Sequence, residues 1–274
     1  MAQRKGLRRA AALLALAALL CAGLRAASAQ RIPLIIEVIA ATGQPVEDAQ
    51  PAAAVQDGPR VLIYHTHTWE AYEMTKEMRY TPTETWRTKD ERFNMIRVGE
   101  ELSKALQQHG FIVVHDQTAF EPPNLSTSYT RSLAMLESRM NKGERYDYIF
   151  DIHRDAYSGP YNGANAVEHQ GRSAAYVMLL VGKGTGVTGS GFDERPDWPQ
   201  NLELARQITG AMNAIAPGIA RDVKIKTGRF NQHVSTGALL IEVGNNMNTL
   251  DEALSACAVI AQAIADAHAA HASD

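Results

Sequence analysis

The sequence has 274 residues, of which 45% are hydrophobic and 21% charged, a composition typical of a globular chain with a sizeable core. Its formal net charge of −3 and its two cysteines exclude a strongly basic nucleic-acid-binding chain and a disulfide-rich scaffold. The length allows one large domain or two small ones.

The first 29 residues have the layout of a secretory signal peptide. Four basic residues between positions 4 and 9 precede an apolar run of 15 residues, Ala10 to Leu24, and Ala27-Ser28-Ala29 matches an A-x-A cleavage site. The run is shorter than the ~18 apolar residues expected of a membrane-spanning helix. We therefore expect export across the cytoplasmic membrane to an extracytoplasmic or cell-wall location. An uncleaved signal anchor is the alternative.

Removal of this segment changes both the charge and the cysteine count. It takes away five basic residues and no acidic ones, which leaves 22 basic against 30 acidic residues and a net charge of −8. Such a surface repels nucleic acid. Cys21 lies inside the signal, so Cys257 alone remains and no intrachain disulfide can form.

Residues 30–58 are rich in Ala, Gln and Pro without a clear period, which predicts a linker or loosely attached leader. From residue 59 to 274, short apolar runs alternate with amphipathic segments. The predicted strands are Val61–His67, Phe111–Asp116, Tyr146–His153, Ala174–Gly182, the weaker Val223–Lys226, and Ala238–Val243. The predicted helices are Asn94–His109, Thr130–Met140, Gln200–Ile215 and Leu250–His268.

This alternation predicts the α/β class. Near-continuous apolar strands indicate a sheet that is covered on both faces. We expect a single domain with a twisted, mostly parallel or mixed sheet of about six strands and helices on both faces. Ligands of such sheets gather beyond the carboxyl ends of the strands.

The segment YHTHTWE follows the first predicted strand and offers three candidate metal ligands. His65 stands where the buried strand ends, His67 shares its face by the two-residue period, and Glu70 lies in the turn beyond. Catalytic zinc commonly has three protein ligands drawn from His and Glu. Solvated strand-end residues explain this segment equally well.

The third and last predicted strands add chemistry at the same edge. DIHRD places His153 directly after a buried strand, and Arg154 could hold an oxyanion or an anionic substrate group. An ion pair of Arg154 with Asp151 or Asp155 is the alternative. Glu242 interrupts an otherwise apolar strand, where a carboxylate is costly unless it is paired, metal-bound or hydrogen-bonded. Beside an activated water it would serve as general base and then general acid.

Five motifs together carry a family resemblance: HTHTWE, RVGEEL, DIHRD, RFNQH and LLIEVGNNMNT. In this order, over about residues 60–265, they resemble the stage II sporulation protein P family, peptidoglycan hydrolases of the zinc-dependent cell-wall amidase superfamily. The resemblance implies a cell-wall amidase-like fold and an N-acetylmuramoyl-L-alanine amidase that acts in forespore engulfment. It also leaves open a second activity, cleavage of stem-peptide cross-links by an endopeptidase. It also implies two partners, a sporulation lytic transglycosylase and a membrane scaffold protein.

Carried over by motif, His65 and His153 match the family's zinc ligands and Glu242 its catalytic glutamate. In the wider superfamily a Glu at the start of the following helix binds Zn²⁺, but Asn94 stands near that place here. We therefore take Glu70 as the third ligand, with His67 and Glu91 as the other candidates. A wall-binding module without activity is the non-enzymatic alternative.

Overall fold

The computed structural model describes residues 58–156, 165–184 and 197–271. The predicted signal peptide and all but the last residue of the predicted leader therefore lie outside the described residues.

The centre of the fold is a mixed sheet of six strands, as predicted. The described residues form eight strands, of which β4 and β5 make a separate two-stranded sheet. In chain order they are β1 (Arg60–Tyr64), β2 (Ile112–His115), β3 (Tyr148–Asp155), β4 (Ala166–His169), β5 (Arg172–Ala175), β6 (Val177–Gly182), β7 (Lys224–Lys226) and β8 (Ala238–Asn245). The sheet order is β2-β1-β3-β8-β6-β7. The first four strands in this order are parallel, β6 runs antiparallel to β8, and β7 is parallel to β6.

Helices cover both faces of this sheet, which confirms the predicted α/β class. They are α1 (Met95–Gln108), α2 (Ser128–Asn141), α3 (Trp198–Ile215) and α4 (Leu250–His271). Alternate residues of β1 face opposite cores. Val61 and Ile63 pack in the large core with α1, α3 and α4, whereas Leu62 and Tyr64 pack in a smaller one with α2.

Helix α4 begins with a capping box. Thr249 Oγ1 accepts from the Glu252 amide at 3.3 Å, and the Glu252 carboxylate accepts from the Thr249 amide at 2.8 Å. The helix is long and apolar enough to cross a membrane by length and composition. However, residues such as Cys257 and Ile260 are fully buried in the large core, so α4 is a core helix of this domain.

The predicted strand Ala174–Gly182 is two strands. The strand is interrupted at Tyr176, so that β5 pairs with β4 in a separate two-stranded sheet while β6 joins the main one. The hairpin turns at Gln170 and Gly171, which both have positive φ (52° and 74°), as two-residue hairpin turns require. Residues 166–169 were not predicted as a strand, because half-exposed residues lack an apolar run.

Candidate functional site

Strands β1, β3 and β8 lie side by side, so their carboxyl ends form one edge. In the β3–β8 register His153 is the direct partner of Glu242. Paired residues of neighbouring strands point to the same face. His153 and Glu242 therefore lie on the face covered by α2, where Tyr129 stacks on His153 with ring centroids 6.5 Å apart.

The segment after β1 leaves the sheet in a tight turn that is fixed by buried hydrogen bonds. The Thr68 hydroxyl donates to the His65 carbonyl (2.9 Å), and the Glu70 amide donates to the His67 carbonyl (3.2 Å). Asp151 accepts from the amide and the hydroxyl of Thr66 at 2.8 and 2.7 Å. These contacts hold HTHTWE against the end of β3.

This turn brings His67 and Glu70 to His153. Glu70 Oε2 lies 3.4 Å from His153 Nδ1 and also accepts from the Arg154 amide at 3.3 Å. The rings of His67 and His153 meet edge to face with centroids 5.2 Å apart. His67 is half-buried, whereas Glu70 and His153 are buried, so the cluster opens to solvent on the His67 side.

The charges of these groups are strongly coupled. Burial favours the neutral His67 ring and lowers its pKa to about 4. Burial opposes the charged forms of Glu70 and His153 as well. However, the His153 ring and Arg154 lower the pKa of Glu70 to about 2, and the Asp151 and Glu70 carboxylates raise the pKa of His153 well above its usual value.

Glu242 has the opposite perturbation. Burial, followed by the nearby Glu70 and Asp155 charges, outweighs the attraction of His153 and raises the pKa of Glu242 to about 8. Its Oε2 atom is enclosed and has no hydrogen-bond partner among the described residues. The raised pKa therefore favours the protonated form of Glu242 at neutral pH.

His65, predicted as a zinc ligand, lies elsewhere. It is fully buried, and its Nδ1 contacts the Ile152 carbonyl at 3.1 Å while its Nε2 lies 2.8 Å from His115 Nε2. Both rings press against Gly99 of α1, on the face opposite to α2. Because both nitrogens of His65 are engaged there, this arrangement favours His67 as a ligand, and the ligand role of His65 stays a prediction.

Arg154 is also placed differently from the prediction. It follows His153 within β3, so the strand's alternation turns its side chain away from the His153 face. Its guanidinium donates to the carbonyls of Ala71 (3.0 Å) and Trp86 (3.1 Å) and lies 3.9 Å from Glu70. This placement favours a positioning role over the oxyanion role, which stays a prediction. Arg154 holds the loop that carries Glu70, and its ion pair is neither with Asp151 nor with Asp155.

Glu91, the remaining ligand candidate, is exposed and outside this cluster. Asn94 caps α1 instead of offering a ligand, because its Oδ1 accepts from the Ile96 amide at 3.0 Å and its Nδ2 donates to the Thr88 carbonyl at 3.2 Å. The ligand role of Glu70 stays a prediction that this geometry favours.

Two residues of the site were missed in the sequence: Asp151 and Tyr129. Asp151 Oδ1 lies 2.9 Å from His153 Nε2, and the residue is almost completely buried. Its signal was a carboxylate inside an apolar strand, two residues before His153, the same signal that identified Glu242. Tyr129 carries no such signal, because only the fold brings α2 to this edge.

The cluster fits a metal in chemical type. Among the described residues no group of three or more His, Cys, Asp or Glu side chains could, as the side chains stand, hold a metal ion. However, His67 Nδ1 is a buried atom without a hydrogen-bond partner in the described chain, as is Glu242 Oε2. Such orphaned atoms are costly unless a further group satisfies them. Two His and one Glu form a common catalytic zinc set.

Comparison with known proteins places this site in a family. The family model "Stage II sporulation protein P (SpoIIP)" matches residues 35–265. Stage II sporulation protein P of Bacillus subtilis (strain 168) is 27% identical over 222 residues, which cover 76% of this chain and 51% of that protein. The chain thus spans about half the length of that curated relative.

Two solved structures resemble the chain at low identity. One is the CwlD amidase from Clostridioides difficile in complex with the GerS lipoprotein (TM-score 0.46, 12% identity, 79% of this chain and 99% of that one). The other is the N-acetylmuramoyl-L-alanine amidase from Clostridium difficile 630 (TM-score 0.45, 15% identity, 79% and 98%). The extent of the family match is decisive: the chain belongs to the stage II sporulation protein P family.

Proposed function

We propose that this chain is a zinc-dependent peptidoglycan hydrolase that cleaves the amide between N-acetylmuramic acid and L-alanine, and that it acts in sporulation. Family membership supports the substrate and the biological setting. The observation that carries the chemistry is the convergence of His67, Glu70 and His153 beside Glu242.

A zinc ion held by His67, Glu70 and His153 would supply Lewis acidity toward the amide carbonyl and toward water. In the reaction the amide C–N bond breaks, the oxygen of water bonds to the carbonyl carbon, and a proton passes to the leaving nitrogen. Glu242 is the group in this site that can carry that proton. Its pKa of about 8 lies close to neutral pH, as a general acid–base requires.

The remaining residues position these groups. Asp151 faces His153 across 2.9 Å, and a carboxylate at this place orients a ligating histidine. Arg154 fixes the carbonyls of Ala71 and Trp86 and thereby the loop that carries Glu70. Export by the signal at residues 1–29, and action with a lytic transglycosylase and a membrane scaffold protein, belong to the same proposal.

The test is digestion of purified peptidoglycan by wild type, Glu242→Gln and the matched control Glu137→Gln. Glu137 is exposed on α2, so its substitution makes the same chemical change away from the site. We expect wild type and the control to release stem peptides with free L-Ala amino ends, and Glu242→Gln to release at least about 10²-fold less while its zinc content is unchanged. Unchanged release by Glu242→Gln would overturn the assignment. Free ends within the stem peptides instead would identify an endopeptidase.

A further inference from the structure

A cleft of about 440 Å³ lies in the segment that connects β1 to α1, next to the Glu70 loop. Its lining includes Glu73, Tyr80, Glu84 and Trp86. The strand-like segment 70–71 is bridged to residues 87 and 94, so the wall of the cleft belongs to the same ribbon as Glu70. A molecule in this cleft therefore contacts the segment that carries Glu70.

Trp86 is held in this wall in an unfavourable backbone conformation. Its φ of 54° lies in the left-handed region, which is a true outlier for a bulky residue. Three contacts maintain it. The Trp86 carbonyl accepts from the Ala71 amide (2.8 Å) and from buried Arg154 (3.1 Å), and its indole N–H donates to Glu73 Oε2 (2.6 Å).

The other aromatic wall is fixed as well. The Tyr80 hydroxyl donates to the Tyr72 carbonyl at 2.7 Å, and Tyr72 is itself buried with its hydroxyl on the Val243 carbonyl of β8 at 2.6 Å. The Glu73 amide donates to the Asn248 carbonyl at 2.9 Å. The walls of the cleft are thus hydrogen-bonded to β8, the strand that carries Glu242, and need little ordering to bind a ligand.

The charge of the cleft selects the kind of ligand. Glu73 and Glu84 present carboxylates, and no Lys, Arg or His occurs among the described residues that line the cleft. Glu84 has its nearest basic atom in Arg87 at 3.7 Å, and its side chain is 73% exposed, so most of its charge is available. Aromatic faces beside carboxylates attract an ammonium group through both cation–π and ionic interactions.

We propose that this cleft binds a primary ammonium group on an alkyl side chain of the substrate's stem peptide and so positions the peptide beside Glu70. The nature of the ligand as a wall peptide rests on the proposed function. The affinity of the cleft for an alkylammonium group does not.

The binding test uses the purified chain with ¹⁵N-labelled tryptophan and follows the indole N–H signal of Trp86, assigned with Trp86→Phe. The probes are Nα-acetyl-lysine amide and the same compound acetylated at Nε. We expect the amine to shift the Trp86 signal and the acetylated probe to leave it in place. The double substitution Glu73→Gln/Glu84→Gln should abolish the shift, because glutamine retains the acceptor for the indole but not the charge. Glu77→Gln, an exposed control outside the cleft, should retain it.

An equal shift with both probes, no shift, or a shift that persists in the double variant would overturn the proposal. The kinetic counterpart compares untreated peptidoglycan with peptidoglycan whose amines are acetylated. We expect acetylation to raise KM about fivefold for wild type and not for the double variant. If wild type digests neither substrate, the proposed function fails while the indole measurement still decides the cleft.

Discussion

Gly99 is the position where the packing around the site allows the sharpest stability prediction. A Cβ at Gly99 would lie 2.4 Å from His115 Nε2 and 2.6 Å from His65 Nε2. Both rings would have to move by about 1 Å to reach an ordinary separation. That movement would break the 2.8 Å contact between the two histidines, the contact that engages His65.

The magnitude follows from three opposing effects. Alanine favours a helix interior over glycine by about 1 kcal/mol. Overpacking costs about 1–3 kcal/mol, and loss of the buried contact costs about 1 kcal/mol more. We therefore expect Gly99→Ala to lower the free energy of unfolding by about 1–3 kcal/mol.

The matched control is Gly210→Ala in α3. Gly210 is exposed, and a Cβ there would meet nothing within 4 Å. This variant should gain about 0.5–1 kcal/mol from helix propensity alone. Urea unfolding of both variants, with midpoints compared at constant slope, measures the difference. A Gly99→Ala variant as stable as wild type would refute the described packing of His65 against α1.

Three further predictions concern separate contacts. Asp116 is buried, but its ion pair with Arg139 (2.7 Å) outweighs the effect of burial and lowers the pKa of Asp116. The contribution of this ion pair to stability is therefore complete above the unfolded pKa of about 3.9 and is lost as pH falls through the lower folded pKa. Asp116→Asn should cost about 2 kcal/mol in urea unfolding at pH 7, a difference that shrinks below about pH 4 and would be pH-independent if the pair contributed nothing. Asp151→Asn keeps hydrogen-bonding groups but removes the charge that faces His153, and chelator competition should show zinc affinity about 10–100-fold weaker; equal affinity would contradict its positioning role. Thr249→Ala removes the capping hydroxyl of α4 and should cost about 1 kcal/mol in thermal unfolding, and no loss would mean that the box contributes nothing.

The sequence predicted the sheet and its functional edge because buried parallel strands leave an unambiguous apolar signal. His153 and Glu242 were found for the same reason, since polar residues stand out where an apolar strand ends or is interrupted. Their adjacency required the register, in which the two residues are direct partners. The two-residue alternation predicts on which face of the sheet a side chain lies only as far as the strand continues.

The placements of His65 and Arg154, which differ from those expected from the sequence, have this common cause. Because β1 ends at Tyr64, the two-residue period no longer relates His65 to His67, and the turn sends the two rings to opposite sides. Conversely, β3 continues to Asp155, so alternation separates Arg154 from His153 although they are neighbours in sequence. The point at which a strand ends depends on tertiary hydrogen bonds, such as those between Thr66 and Asp151, that no local pattern contains.

Zinc content in wild type, His67→Asn and His65→Asn tests the central claim most directly. We expect about one zinc per chain in wild type, as in a catalytic three-ligand site, and a similar content in His65→Asn. His67→Asn should lose the metal while its circular dichroism remains that of the folded chain. The account would be contradicted if the folded His65→Asn variant lost zinc while His67→Asn retained it. It would also be contradicted if the wild type bound no zinc.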